Sequence, residues 1–174
     1  MQEAVQVLRV EGVPLCFEQI AVRRERTSRA ADGTIVHGLH RFPMPSAARA
    51  ISTTLDALIK ADPEYQCESS SDGSHTVYPR DGGVLGWLVP PCAWRQVNFI
   101  EMLNKIGLDD HGISIFPRGL ERQPDLRLDL SLGALPVRHW LTVVVRQVSA
   151  RHYWNLAGFE SERSLVIGQV GPGR

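Results

Sequence analysis

Hydrophobic positions along this chain fall into a series of helix-then-strands units. Near the N-terminus Ala4, Val5 and Leu8 recur at helical spacing and stop at Gly12, a residue suited to ending a helix. Leu15, Phe17, Ile20 and Val22 then predict a strand, followed by a polar, Arg-rich stretch that closes on the turn dipeptide Asp32-Gly33. Residues 35–42 read as another strand, ended by Pro43 and Pro45. Ser46 is placed to cap the next helix, whose Ile51, Leu55, Leu58 and Ile59 share one face until Asp62-Pro63 stops it. Two short strands, 65–68 and 75–78, then flank an Asp72-Gly73 hairpin turn.

A third unit follows Asp81-Gly82-Gly83. Residues 85–89 read as extended, Pro90-Pro91 breaks them, and Val97, Ile100, Leu103 and Ile106 trace a helix ending at Gly107 before a strand at 113–116. The fourth unit has the clearest pattern. Leu126, Leu128, Leu130 and Leu132 alternate with Arg127, Asp129 and Ser131, the period of a strand with one buried face. Pro136 fits the first turn of a helix striped by Val137, Trp140, Leu141, Val144 and Val148, and strands at Tyr153-Trp154 and 165–167 close the chain.

The second and fourth units share an order: strand, Pro-containing turn, amphipathic helix, a strand carrying a tyrosine (Tyr65 or Tyr153), polar loop, final strand. One such βαββ unit buries too little apolar surface to stand alone, whereas two packed together make an adequate core. The expectation is an α+β fold of repeated βαββ-like modules, with antiparallel or mixed sheets and helices packed on one face. An N-terminal module spans residues 1–82, its βαββ unit at about 35–80, and a C-terminal module spans 83–174, its unit at about 125–170.

Composition removes several functions. The 174 residues carry nineteen basic and nineteen acidic side chains, so there is no net field to attract a nucleic-acid backbone. No apolar run approaches the roughly 20 residues of a membrane helix. Among the basic residues only Lys60 and Lys105 are lysine. Three cysteines, Cys16, Cys67 and Cys92, form no close pair, which excludes a CxxC redox site; Cys67 and Cys92 are the pair to test for a disulfide, against a reading of three buried thiols. Met1-Gln2-Glu3-Ala4 does not open a secretory signal, since no apolar segment follows a basic start.

Candidate chemistry is sparse. His37 and His40 lie on opposite faces if their segment is a strand, and Asp109-Asp110-His111 reads as a solvated loop, so no metal site is expected. Ser70, Ser71 and Ser74 beside His75 lack any G-x-S-x-G elbow and suit a hairpin loop, and Glu160 and Glu162 sit in a loop without burial to shift them. Gly171-Pro172-Gly173 is not a phosphate loop. No catalytic residue and no cofactor is expected. The binding candidates are Arg23, Arg24, Arg26 and Arg29, able to grip a phosphate or an acidic partner, and Trp87 and Trp94, which flank Pro90-Pro91 as an aromatic patch or as core.

The strand "LRLDLSLGALPV", its helix, and the pair "YW…SLVIGQV" resemble the secretin and TonB N-terminal (STN-like) βαββ module, and "TTLDALIKADPEYQCESSSDGSHTVYPRD" looks like the same module. That resemblance implies a periplasmic setting, with a cytoplasmic one as the alternative, and contact with other proteins rather than catalysis. The chain carries no secretin ring, barrel or plug to go with it. The leading expectation is therefore a non-enzymatic protein-interaction or assembly module, with a protein partner or self-association through open sheet edges. Its alternative is a small-ligand or phosphate-ester binding protein or enzyme, with a site between modules that includes Arg23, Arg24, His37 and His40. A third is an intracellular inhibitor or antitoxin-like module.

Overall fold

A computed structural model describes residues 1–20, 51–118, 125–159 and 162–170. Helix α1 (Gln2–Val10) leads through Gly12 into β1 (Leu15–Glu18). Helix α2 (Ile51–Ala61) ends before Pro63 and feeds the hairpin β2 (Tyr65–Ser69) and β3 (His75–Pro79). A short 3-10 turn (Val84–Gly86), β4 (Leu88–Val89) and β5 (Cys92–Asn98) come next. Asn98 caps α3 (Phe99–Lys105), its Oδ1 accepting from the backbone N–H groups of Ile100 and Glu101. Then follow β6 (Ile113–Pro117), β7 (Arg127–Leu132), β8 (Leu135–Pro136), α4 (Val137–Val148) and the hairpin β9 (His152–Phe159) and β10 (Glu162–Gln169).

These elements make an α+β fold on a mixed six-stranded sheet, ordered β2-β3-β1-β9-β10-β6. The hairpins β2–β3 and β9–β10 are antiparallel, while β1 runs parallel to both β3 and β9, and β6 parallel to β10. Strands from 1–82 and from 83–174 thus share one sheet, joined at β1–β9.

Helices cover both faces of that sheet, not one. Alternation along β1 sends Leu15 and Phe17 to one side, where they pack with Val5 and Leu8 of α1, Leu55 and Leu58 of α2, and Val77. Cys16 points to the other side, among Met102 and Leu103 of α3, Trp140, Leu141 and Val144 of α4, and Trp154 and Leu165. The cause is β1 itself: Leu15-Cys16-Phe17 is a continuous apolar run buried throughout, as a strand covered on both faces must be.

Two further expectations change. Strand β7 leaves the main sheet and pairs antiparallel with β5, so the first strand of the 125–170 unit does not stand beside β9–β10; β6 takes the place next to β10. The β5–β7 pair packs on α4, with Trp94 edge-on to Trp140 at 6.0 Å between ring centroids. Only Leu130 of the alternating leucines is fully buried. Residues 85–89, read as extended, overlap the 3-10 turn and hold a strand of just two residues paired with β8. The strand expected at 35–42 and the Ser46 cap lie outside the described residues. Among the described residues no helix is long and apolar enough to cross a membrane.

One buried hydroxyl knits the C-terminal helix to the sheet. Thr142 Oγ1 accepts from Trp154 Nε1 at 2.9 Å, donates to the Arg138 carbonyl at 2.9 Å, and meets Thr76 Oγ1 at 3.2 Å. Replacing it with the isosteric Thr142→Val keeps the volume but strands the indole N–H and the Thr76 hydroxyl. The expected loss is about 1–3 kcal/mol, the cost of a buried polar group without a partner, measured by urea unfolding. A loss below experimental error would contradict this account.

Candidate functional site

The structure does not gather the residues singled out from sequence into one site. Arg23, Arg24, Arg26, Arg29, His37, His40 and Glu160 lie outside the described residues. Trp87 stacks on His111 with ring centroids 3.8 Å apart, and Trp94 packs against Trp140, so each tryptophan is half-buried with its own partner. Cys16, Cys67 and Cys92 are all free thiols; Cys67 is on β2 and Cys92 on β5, strands of different sheets, so the disulfide between them is not formed. Among the described residues no group of three or more His, Cys, Asp and Glu side chains could hold a metal. His75 shares a hydrogen bond with Ser69, not with the loop serines.

What the fold does build is a cleft of about 500 Å³ between α1 and the C-terminal hairpin. Its floor is the face of β9 and β10 that looks away from α3 and α4: Tyr153 and Asn155 from β9, Val166 and Gly168 from β10. Gly168 is required by its neighbour. Its register partner is Tyr153, and a Cβ on residue 168 would lie 2.7 Å from the phenol ring, so the glycine lets that ring lie flat across the strand. Gln6 of α1 and Gln169 line the rim, and Arg118, just past β6, supplies an exposed guanidinium.

Arg9 lies at the base of the cleft. It falls one turn after Val5 on the inward face of α1, and only 4% of it is exposed. Its Nε and Nη2 donate to the Leu15 carbonyl at 2.9 and 2.7 Å, Nη2 reaches the Trp154 carbonyl at 3.3 Å, and Nη1 donates to Asn155 Oδ1 at 3.1 Å. The guanidinium carbon sits 3.9 Å from the centre of the Tyr153 ring. Burial pulls its pKa down to about 10, which leaves it charged at neutral pH. Every one of these partners is neutral. Among the described residues no carboxylate lies within ion-pair distance of Arg9.

The opposite face of the same seam carries a second buried arginine, and this one is paired. Glu18, at the end of β1, has no exposed surface. Its Oε1 accepts from the N–H groups of Val84 and Leu85, and its Oε2 faces Arg138 Nη2 at 3.7 Å. Arg138 in turn donates to the carbonyls of Gly82 and Leu85 and lies over the Tyr78 ring at 4.1 Å. Gly83 suits this packing, because its φ is +55° and a Cβ there would run into the Glu18 carboxylate. The chain of contacts continues outward: the Tyr78 hydroxyl donates to Glu68, whose other oxygen meets His139. Burial raises Glu68, but the Tyr78 and His139 bonds together outweigh it and hold the carboxyl below its ordinary range. Tyr78 is pushed up to about 12 by burial and then by the same bond. Most of its donors and acceptors fix the 79–86 loop, while Glu18 Oε2 makes no hydrogen bond and has only the Arg138 ion pair.

Sequence reasoning passed over Arg9, Glu18 and Arg138. The signal was present, since Arg9 and Arg138 both interrupt apolar helix stripes at positions the 3.6-residue period turns inward. The chain matches no protein-family model, no curated protein and no solved structure at a significant level.

The Glu18–Arg138 pair makes a pH-dependent prediction. Desolvation raises the Glu18 pKa above the usual carboxylate value, against the pull of the two backbone N–H groups and Arg138. A raised folded-state pKa means the folded chain holds that proton more tightly than the unfolded chain. The favourable contribution is therefore complete below the unfolded pKa and is lost as pH rises through the folded one. Arg138→Ala removes the compensating charge and should cost about 3–5 kcal/mol at pH 7. That deficit should shrink as pH falls through the still higher Glu18 pKa of the variant. Urea unfolding of both proteins between pH 7.5 and 5 measures it; a deficit unchanged with pH would overturn the assignment.

Proposed function

We propose that this protein is a non-enzymatic recognition module that binds an oxyanion, a carboxylate or phosphate group, in the α1–β9–β10 cleft. The observation that carries the reading is Arg9: a buried guanidinium whose partners are all uncharged, at the base of a cleft that also holds Arg118. A buried charge is ordinarily matched by an opposite one. Here the matching charge is left for a ligand to bring. Arg9 spends four of its five N–H groups within the protein and brings mainly its charge, while the exposed fork of Arg118 suits carboxylate and phosphate geometry, with the carboxamides of Gln6 and Asn155 beside it.

Recognition is favoured over catalysis by what the lining lacks. Among the described residues that line the cleft there is no carboxylate, histidine, cysteine, serine or lysine to act as base or nucleophile, and the phenol of Tyr153 has no such group beside it in the lining to activate it. The site also lies where strands from residues 1–82 and 83–174 meet, as a site between modules would. A second reading, contact with a protein through the sheet edge, is favoured by β6, the outermost strand on that side, with Phe116 48% exposed. The STN-like resemblance is what supports the extracytoplasmic setting.

Titration of the full chain with inorganic phosphate and with acetate, followed by amide chemical shifts, tests the proposal. Shifts should cluster at Tyr153, Asn155, Gly168 and Gln169 for at least one probe. Arg118→Gln, a surface change, should weaken that probe roughly tenfold to a hundredfold, the range for one charge-assisted bond. Shifts elsewhere, or unchanged affinity in the variant, would sink it.

A further inference from the structure

The walls of the cleft say more about the ligand than its charged base does. In the parallel pair β6–β10, Phe116 is the register partner of Val166, so both side chains leave the same face of the sheet, the one that floors the cleft. The inward residues of β6, Ile113 and Ile115, go to the core on the other face, which leaves Phe116 half-exposed beside Arg118. Across the cleft, Gln6 lines the α1 wall, and Val10 follows it by four residues on the same helix face. Val10 is 65% exposed. Beside the cleft, one apolar side chain therefore adjoins a polar lining residue on each side, Val10 one turn from Gln6 and Phe116 two residues from Arg118. Both apolar groups are exposed, Val10 at 65% and Phe116 at 48%.

From this placement we infer that the ligand is an amphipathic organic anion, whose oxyanion sits between Arg9 and Arg118 and whose aryl or alkyl portion lies across Val166 between Val10 and Phe116. The inference rests on the anion-binding reading and narrows it. A cleft of about 500 Å³ has room for an acid of one ring or a short chain. An inorganic ion would leave Val166 and its apolar neighbours uncovered.

The test uses matched pairs of probes on the full chain: inorganic phosphate against phenyl phosphate, and acetate against benzoate, by calorimetry. Within whichever pair binds, the aryl member should bind about tenfold tighter, the gain from burying on the order of 50 Å² of apolar surface. The double variant Val10→Ser with Phe116→Ser should lose that gain while keeping its affinity for the simple ion, and because both side chains are exposed the fold should tolerate it. Equal affinities within a pair, or a gain that survives the double variant, would overturn this inference and leave anion binding standing. Failure of all four probes would instead remove the anion-binding reading on which it rests. The pair that binds tells a phosphate ester from a carboxylic acid.

Discussion

The fold depends on the seam between β1 and β9. These strands share only two register pairs, Phe17 with Asn155 and Glu18 with Leu156, extended by the Gln19 N–H to the Leu156 carbonyl. So short a ladder is a weak joint for two halves of a sheet. It is reinforced from both faces by arginines that arrive on helices. Arg9 enters from α1 and spans the seam by bonding the Leu15 and Trp154 carbonyls together. Arg138 enters from α4 on the other face and ties Glu18, the last residue of β1, to the loop at 79–86. Arginine suits both places because its planar fork meets several acceptors at once and its charge is not lost on burial.

The two clamps are alike in position and unlike in electrostatics. Arg138 has a carboxylate of its own, so its face of the seam is a closed structural array, and removing either partner would leave a charge in the interior. Arg9 has carbonyls, an amide and a ring. Dipoles and a π face solvate a cation well enough to hold it, but they do not neutralise it. The positive potential at the base of the cleft follows from that difference. It arises from a residue needed for the fold, which explains how a chain with zero net charge keeps one concentrated cationic point.

Much of the element order was legible in the chain because the signals were local. The stripes of α1, α2 and α4, the Asp-Gly hairpin and the closing strands all follow from period and turn chemistry, and they place an α+β fold. What was not legible depends on pairing at a distance. Nothing in the alternation of Leu126, Leu128, Leu130 and Leu132 says that β7 takes β5 as its partner and shields α4 instead of extending the sheet. The apolar run at Leu15-Cys16-Phe17 was too short to distinguish a strand buried on both faces from one buried on a single face, and so the two-sided helix layers were missed. The site was harder still. Charge runs drew attention to Arg23 through Arg29, whereas Arg9 was hidden by context, a single charge among apolar neighbours. The useful sign was the conflict between residue type and helical phase. A charge placed where the period points inward has to be satisfied by something, and Arg9 and Arg138 show the two ways of doing so.

That conflict also explains how the cleft divides its labour. Arg9 is held by four hydrogen bonds and a ring, so its guanidinium is fixed before any ligand arrives and loses little freedom on binding. Arg118 is exposed and must be ordered by the ligand it meets. In the proposed binding the fixed group would set where an anion sits, and the exposed one would add affinity only for an anion large enough to reach it. Because Arg9's hydrogen bonds also hold the seam, the cleft floor cannot shift without loosening the β1–β9 joint. The proposed recognition would thus be built on the same contacts that make the two halves one sheet.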